Sequence, residues 1–236
     1  MVAEVPAAEL AQAEAALAAI LPLLHEVGIA LTASQQAALA RFCVLLERWN
    51  RRINLTAQRT LQAIVVHHVL DCLQLERLGW PPGTLRAVDI GSGAGLPALT
   101  IALLHRQCQV TALDTVAKKT SFQQEAARQL GLSNLHPLRQ EVREHAAAPA
   151  GREGYDLVLT RAFAPLAVCL PLALDLLRPG GHFWTFKGQG LAQELADVPS
   201  AVARRFLGAP RQLRYSFPQV GLAGIVVAYQ VPERAP

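Results

Sequence analysis

The chain predicts a doubly wound α/β fold, a mostly parallel seven-stranded sheet with an antiparallel last strand, behind an N-terminal helical region. Three observations predict it. From residue 85 onward, short apolar runs alternate with segments of helical period, the pattern of parallel strands joined by right-handed helical crossovers. Within residues 87–97 an apolar run gives out at Asp89, Gly91, Gly93 and Gly95 alternate through a turn, and Pro97 falls where a helix should begin. Before the turn-rich Gly79-Trp80-Pro81-Pro82-Gly83, by contrast, the apolar residues keep helical spacing.

The elements follow in order. Helices are expected over 7–25 and 34–50. The second carries Leu39, Phe42, Leu45, Leu46 and Trp49 on one face, and Thr32-Ala33-Ser34-Gln35 has the form of a capping box at its start. A third helix spans 60–77. Beyond the turn the expected strands are 85–90, 109–114, 135–139, 155–160 and 181–187, with helices near 96–105, 118–130, 164–177 and 191–204. Two last apolar runs, 211–217 and 223–231, lie close enough to pair antiparallel. The chain thus divides into a helical cap, 1–80, and a sheet domain, 81–236. A sheet of this kind binds ligand beyond the carboxyl ends of its strands, where strand order reverses. That gathers the glycine turn, Asp114, the 140–144 segment and the end of the 155–160 strand around one crevice.

Bulk properties narrow the class. With 236 residues, 52% of them apolar, the chain can bury a substantial core and is not disordered. Cys43, Cys72, Cys108 and Cys169 form no Cys-x-x-Cys pair and do not cluster with histidine, which fits a reducing cytoplasm and argues against structural zinc. The alanine-rich opening carries Glu4, Glu9 and Glu14 without a basic start, so neither a membrane span nor a signal peptide is expected. Charge is uneven. Residues 1–40 hold four glutamates and no Lys or Arg, whereas 41–59 hold five arginines against Glu47 alone. Arg48, Arg51 and Arg52 in that basic stretch can neutralise nucleic-acid phosphates, or pair with the acidic helix before them.

The spacing Asp-x-Gly-x-Gly-x-Gly differs from the Gly-x-Gly-x-x-Gly of dinucleotide sites, which disfavours a nicotinamide cofactor. Glycines let a flat ligand approach the backbone and meet the free N–H groups that open a helix. Asp114 ends a strand nineteen residues after Gly95. A carboxylate there can accept from both hydroxyls of a ribose, or cap the helix that follows. Asp89 is expected to order the loop and face the amino-acid end of the cofactor, with Leu96 packed under the ligand or in the core.

Together with Arg178-Pro179-Gly180-Gly181 ahead of a strand, the glycine turn resembles the Rossmann-like class I S-adenosylmethionine (SAM) methyltransferases. More closely, the chain is similar to the bacterial 16S rRNA guanine-N7 methyltransferases, also called glucose-inhibited division protein B. The matching stretches are Trp49-Asn50 with Asn54-Leu55-Thr56, His68-Val69-Leu70-Asp71, residues 89–97, Leu113-Asp114 with Lys118-Lys119, Arg161-Ala162-Phe163-Ala164, and Lys187-Gly188-Gln189. The resemblance implies S-adenosyl-L-methionine as cofactor and no metal. It implies a guanine in the decoding-region loop of 16S rRNA as target, on the small ribosomal subunit or its assembly intermediate, and a cytoplasmic monomer away from membranes. It maps cofactor contacts onto Gly91, Leu96, Val142, Arg143 and Arg161, beside Asp89, Gly93, Gly95 and Asp114 of the motif itself. Arg143 departs from the glutamate common in the family, Cys72 from a serine, and His67 from an arginine.

Guanine N7 bears a lone pair and no proton, so its methylation needs alignment and no general base. Arg161, closing a strand at the crevice, is the expected catalytic-site residue. It can bind the cofactor carboxylate, guanine O6 or a phosphate, or form a salt bridge to Asp89 or Asp71. Asn54, His68 and Asp71 are expected to roof the crevice, with a His68–Asp71 pair joining the two regions as the structural alternative. Lys187 is expected on the RNA backbone, and Phe163 either stacks on a base or packs. Two other functions compete: methylation of another RNA or a small molecule, and ribosome binding without chemistry.

Overall fold

The computed structural model describes residues 5–80 and 85–233, so Glu4 and the Pro81-Pro82-Gly83 part of the expected turn lie outside the described residues. The helical region opens with α1 (Ala7–Ala18), α2 (Leu21–Glu26) and α3 (Ala33–Ile53). The capping box forms as the sequence predicts. The Gln35 N–H donates to Thr32 Oγ1 at 3.2 Å, and the Thr32 N–H donates to Gln35 Oε1 at 2.8 Å. Leu39, Phe42 and Leu46 are fully buried, and Asn54 closes α3 in the left-handed conformation with φ 50°. The third helix changes pitch along its length. It runs as α4 (Leu61–Ile64), a π-helical turn (Val65–Leu70), α5 (Asp71–Leu73) and a 3-10 turn (Gln74–Leu78). Ala7–Glu26 is long and apolar enough to cross a membrane by length and composition alone, its glutamates notwithstanding. In this fold its Ala13, Leu17, Ile20 and Leu24 are buried in the protein core.

The sheet contains β1 (Arg86–Ile90), β2 (Gln109–Asp114), β3 (Leu135–Arg139), β4 (Tyr155–Arg161), β5 (Leu177–Lys187), β6 (Arg211–Phe217) and β7 (Leu222–Gln230). The order is β3-β2-β1-β4-β5-β7-β6, with β7 antiparallel to both neighbours. Pro137 sits on edge strand β3, where a missing N–H is tolerated, and the opposite edge, β6, shows Arg211, Gln212 and Arg214 outward or half-exposed. The connecting helices are α6 (Ala98–Leu104), α7 (Ala117–Gln129), α8 (Val142–Ala147), α9 (Pro149–Arg152), α10 (Leu166–Leu176), α11 (Leu191–Ala196) and α12 (Ser200–Ala203). The short α8 and α9 were not expected. The helix expected over 191–204 breaks before Pro199, which cannot donate to a continuing helix.

Period-two alternation decides which face each strand residue covers. Leu157 and Leu159 join one apolar cluster with Leu99, Phe122 and Leu39, while Val158 joins another with Leu170, Phe183 and Val227. Because α1, α3, α6 and α7 contribute to the first cluster, the helical region shares its core with the sheet. Strand order reverses between β1 and β4. The crevice at their carboxyl ends is where the sequence placed its candidate residues.

Candidate active site

Asp89 is the penultimate residue of β1, and after Ile90 the chain turns at Gly91, Gly93 and Gly95, all with positive φ (71°, 58° and 80°). Side-chain-bearing residues would be strained there. Asp114, at the end of β2, holds this turn: Oδ2 accepts from the Gly93 N–H at 2.9 Å and Oδ1 from the Val116 N–H at 2.8 Å. Asp114 thus braces the glycine turn and does not cap α7, whose N-cap residue is Val116, and a carboxylate that receives two N–H donors keeps lone pairs for hydroxyls. Lys119 Nζ lies 3.6 Å from Oδ2. From α7, the buried Gln123 donates to Ser92 Oγ and to the Gly93 carbonyl, both at 2.8 Å. Sequence reasoning missed Gln123. Its only signal was a polar residue on the helix face that carries Phe122 and Ala126.

Asp89 itself is fully buried, with one oxygen accepting from the Ala98 N–H at 3.1 Å and the other without a hydrogen-bond partner. Burial pushes its carboxyl up to about 7, against the smaller opposing pull of the Ala98 N–H and Arg161. It ties β1 to the first N–H of α6, and its buried side chain lines neither cleft at this crevice. Leu96 is an ordinary member of the core, 5% exposed.

Two clefts open at this crevice. The first, of about 310 Å³, is lined by Gly91, Asp114, Val116, Glu141, Val142 and Phe163 among others. Glu141 replaces Arg143 here. Its carboxylate accepts from the Arg143 and Glu144 N–H groups at the start of α8, and this exposed cap leaves the Arg143 side chain outside the lining. The second cleft, of about 750 Å³, is walled by His68, Asp71, Arg161, Phe186, Lys187 and Tyr215.

Arg161 organises the second cleft. Its Nε donates to Asp71 Oδ2 at 2.8 Å, and Nη2 donates to the His67 carbonyl and to His68 Nδ1, the latter at 3.0 Å. The ion pair to Asp71, one of the alternatives for this arginine, is thus realised. Tyr215 donates its hydroxyl to the other Asp71 oxygen. Burial, helped by that carboxylate, drives the phenol far above its usual range. His68 Nδ1 stands 3.0 Å from both Arg161 Nη2 and the His67 carbonyl, and Nε2 stands 2.6 Å from Thr56 Oγ1, so both ring nitrogens are engaged. The His68–Asp71 pair expected from the sequence is replaced by this arrangement: the link between them runs through Arg161. Burial, then the Arg161 charge, lowers His68 to about 4, so the ring is neutral at physiological pH.

Other expectations are corrected. Asn54 does not roof the cleft; as the cap of α3 it is exposed and accepts from Arg59 at 3.1 Å. The asparagine buried in this region is Asn50, which donates to the Gln58 carbonyl at 2.8 Å and accepts from the Thr56 N–H at 2.9 Å. That fixes the loop carrying Thr56. Lys187 is turned inward, its side chain 7% exposed, bonded to Glu194 at 2.7 Å and to the Ala164 carbonyl at 2.8 Å, so it is not presented to an RNA backbone. In the basic stretch Arg51 pairs with Glu47 at 2.9 Å and Arg48 lies 3.8 Å from Glu9, while Arg52 is exposed. These arginines line a groove with Trp49, Ile53 and Arg128. Among the described residues no three His, Cys, Asp or Glu side chains group as metal ligands. The four cysteines are buried and unpaired, and burial pushes Cys72 up to about 12.

A family model described as rRNA small subunit methyltransferase G matches residues 35–206. A ribosomal RNA small subunit methyltransferase G from Aromatoleum aromaticum is 40% identical over 181 residues, 75% of this chain and 83% of that protein. One from Chromohalobacter salexigens is 37% identical over 190 residues, 79% and 88% of the two chains. Among solved structures, a predicted O-methyltransferase from Agrobacterium tumefaciens superimposes with a TM-score of 0.54 at 18% identity, covering 68% of this chain and 80% of that one. A ribosomal protein L11 methylase from Lactobacillus delbrueckii gives 0.51 at 20% identity, over 69% and 77%. The last two likenesses concern the fold alone, the class I methyltransferase sheet.

Proposed function

The chain belongs to the rRNA small subunit methyltransferase G family, and from that premise we propose that it methylates N7 of one guanine in the decoding-region loop of 16S rRNA, in the cytoplasm, using S-adenosyl-L-methionine. The observation that carries the reading is the adjoining pair of clefts at the β1–β4 reversal, inside the family-matched region: one suits a nucleoside, the other a flat polar base.

The residues present fit the cofactor. The turn is bare of side chains at Gly91, Gly93 and Gly95, Asp114 retains acceptor capacity in the cleft, and Val142 offers an apolar wall. Gly91, Asp114, Glu141 and Val142 would hold the adenosyl group. When bound, S-adenosylmethionine supplies an electrophilic methyl group on a cationic sulfur.

The chain's own residues perform alignment and charge balance. Neutral His68, with both ring nitrogens engaged, takes no part in proton transfer, and N7 asks for none. A bare guanidinium beside a purine that is becoming cationic would oppose the reaction. Pairing Arg161 with Asp71 at 2.8 Å cancels that repulsion while leaving a polar rim for the base. Because N7 lies on the major-groove edge, the guanine has to be displayed out of a helix to enter the second cleft.

The test is direct. Small subunits from cells lacking the protein are incubated with labelled S-adenosylmethionine, and the modified base is mapped by the strand scission that N7-methylguanine permits. A single labelled guanine is expected. Label on another atom, another RNA or a metabolite would refute the assignment.

A further inference from the structure

Two cavities between which a methyl group must pass need a common boundary, and among the described residues only Ala162 and Phe163 line both. Phe163 is unusual in this chain: it is 38% exposed, whereas each of the other six phenylalanines is at most 9% exposed. Leaving an aromatic ring in water forgoes burial that the remaining six achieve.

The backbone around the ring is held on both sides. Arg161 is anchored to Asp71 and the His67 carbonyl, and Ala162 adopts a left-handed φ of 52°, a strained state for a residue with a Cβ. On the other side Lys187 Nζ binds the Ala164 carbonyl, and Glu194, its ion-pair partner, accepts from the Leu166 N–H at 2.9 Å. Opposite the ring, a Cβ built at Gly91 would stand 2.2 Å from Phe163 Cδ2, so only glycine there admits the ring. A rigid loop therefore presents one exposed apolar ring at the boundary of the two clefts.

We infer that Phe163 positions the target: its ring stacks on the purine that enters the second cleft and sets the approach of that purine to the cofactor cleft. This rests on the proposed function and adds a residue to it. Base–aromatic stacking in single-stranded RNA recognition needs a π-face, which leucine of similar bulk lacks.

The experiment compares wild type, Phe163→Leu and Phe163→Tyr in three measurements. They are S-adenosylmethionine affinity by calorimetry without RNA, affinity for a labelled 16S rRNA fragment by anisotropy without cofactor, and kcat/KM on small subunits. Phe163→Leu is expected to weaken fragment binding and kcat/KM by about 10- to 100-fold, with cofactor Kd within about threefold. Phe163→Tyr is expected to restore both. Equal RNA affinity and turnover for the leucine variant, failure of the tyrosine variant to rescue, or a cofactor affinity that falls in step with RNA binding would each overturn the inference. The wild-type control separates the two levels: if it methylates no rRNA, the function itself fails, whereas normal wild-type methylation with an indifferent leucine variant sinks only the role of Phe163.

Discussion

Replacing Asp89 by asparagine should make the cofactor-free protein less stable in acid and more stable in mild base. The carboxyl is fully buried, has one N–H donor, from Ala98, and one oxygen without a partner. Burial raises it from 3.8 to about 7. A folded-state pKa above the unfolded one means that its contribution to stability is fully present below pH about 4 and is lost as pH rises through about 7. The interval corresponds to about 4 kcal/mol of destabilisation once both folded and unfolded chains carry the charge. Asparagine keeps an acceptor for the Ala98 N–H and never ionises. It does bury an amide NH2 where the orphan oxygen sits, which costs about 1–3 kcal/mol. The variant should therefore lose about 1–3 kcal/mol below pH about 4, come within about 1 kcal/mol of wild type near pH 5, and gain about 1–3 kcal/mol at pH 8.

Urea unfolding of both proteins at several pH values, without cofactor, reads the difference directly. Titrations common to the two proteins cancel in it, so the slope belongs to Asp89 and the groups coupled to it. A difference that stays flat between pH 5 and pH 8, or that runs the opposite way, would refute the argument that Asp89 is an uncompensated buried acid.

Three further outcomes follow from the site. Arg161→Ala should abolish methylation and also lower stability by about 3–5 kcal/mol, because it strands the Asp71 carboxylate, whose side chain is 11% exposed, with Tyr215 as its remaining partner. Adding Asp71→Asn should recover much of that stability and none of the activity, as urea melts and turnover would report. Replacing Arg48, Arg51 and Arg52 together by alanine should lower the salt dependence of rRNA binding by a slope of about 1 to 2, short of about 3, since Glu9 and Glu47 already face two of them. Anisotropy titrations over a range of salt measure this, with cofactor affinity unchanged as the control. Lys187→Ala should leave that salt slope untouched but lower the melting temperature, because it removes the buried clamp between Ala164 and Glu194.

The fold was legible where local pattern and tertiary role agree. Strands 109–114, 135–139 and 211–217 have the predicted bounds because short apolar runs between turn residues have few alternatives. Misses fall where the period is too short to register: α8 and α9 are six and four residues long. The chain also begins β5 at Leu177, ahead of the predicted 181, because Leu177 pairs with Tyr155 across a register shift. No local sequence signal reports such a pairing.

The site divides the same way. Asp114 and Arg161 end β2 and β4, and Asp89 and Gly91 flank the last residue of β1, so one topological rule gathers all four at one crevice. What each of them bonds to was not legible. Asp71 and Arg161 are 90 positions apart, and Tyr215 is 144 positions from Asp71. Their encounter depends on the π turn that precedes Asp71 and on the hairpin order that places β6 at the sheet edge. Lys187 shows the cost of reading a lone charge: nothing local distinguishes a lysine that faces RNA from one that Glu194, seven residues on, draws inward. A strand-end charge becomes a functional assignment only when its partners are known. In this protein the partners of Arg161 leave it paired, so under the proposed function it would serve alignment and charge balance, and the exposed ring two residues later is the group we infer to make the contact.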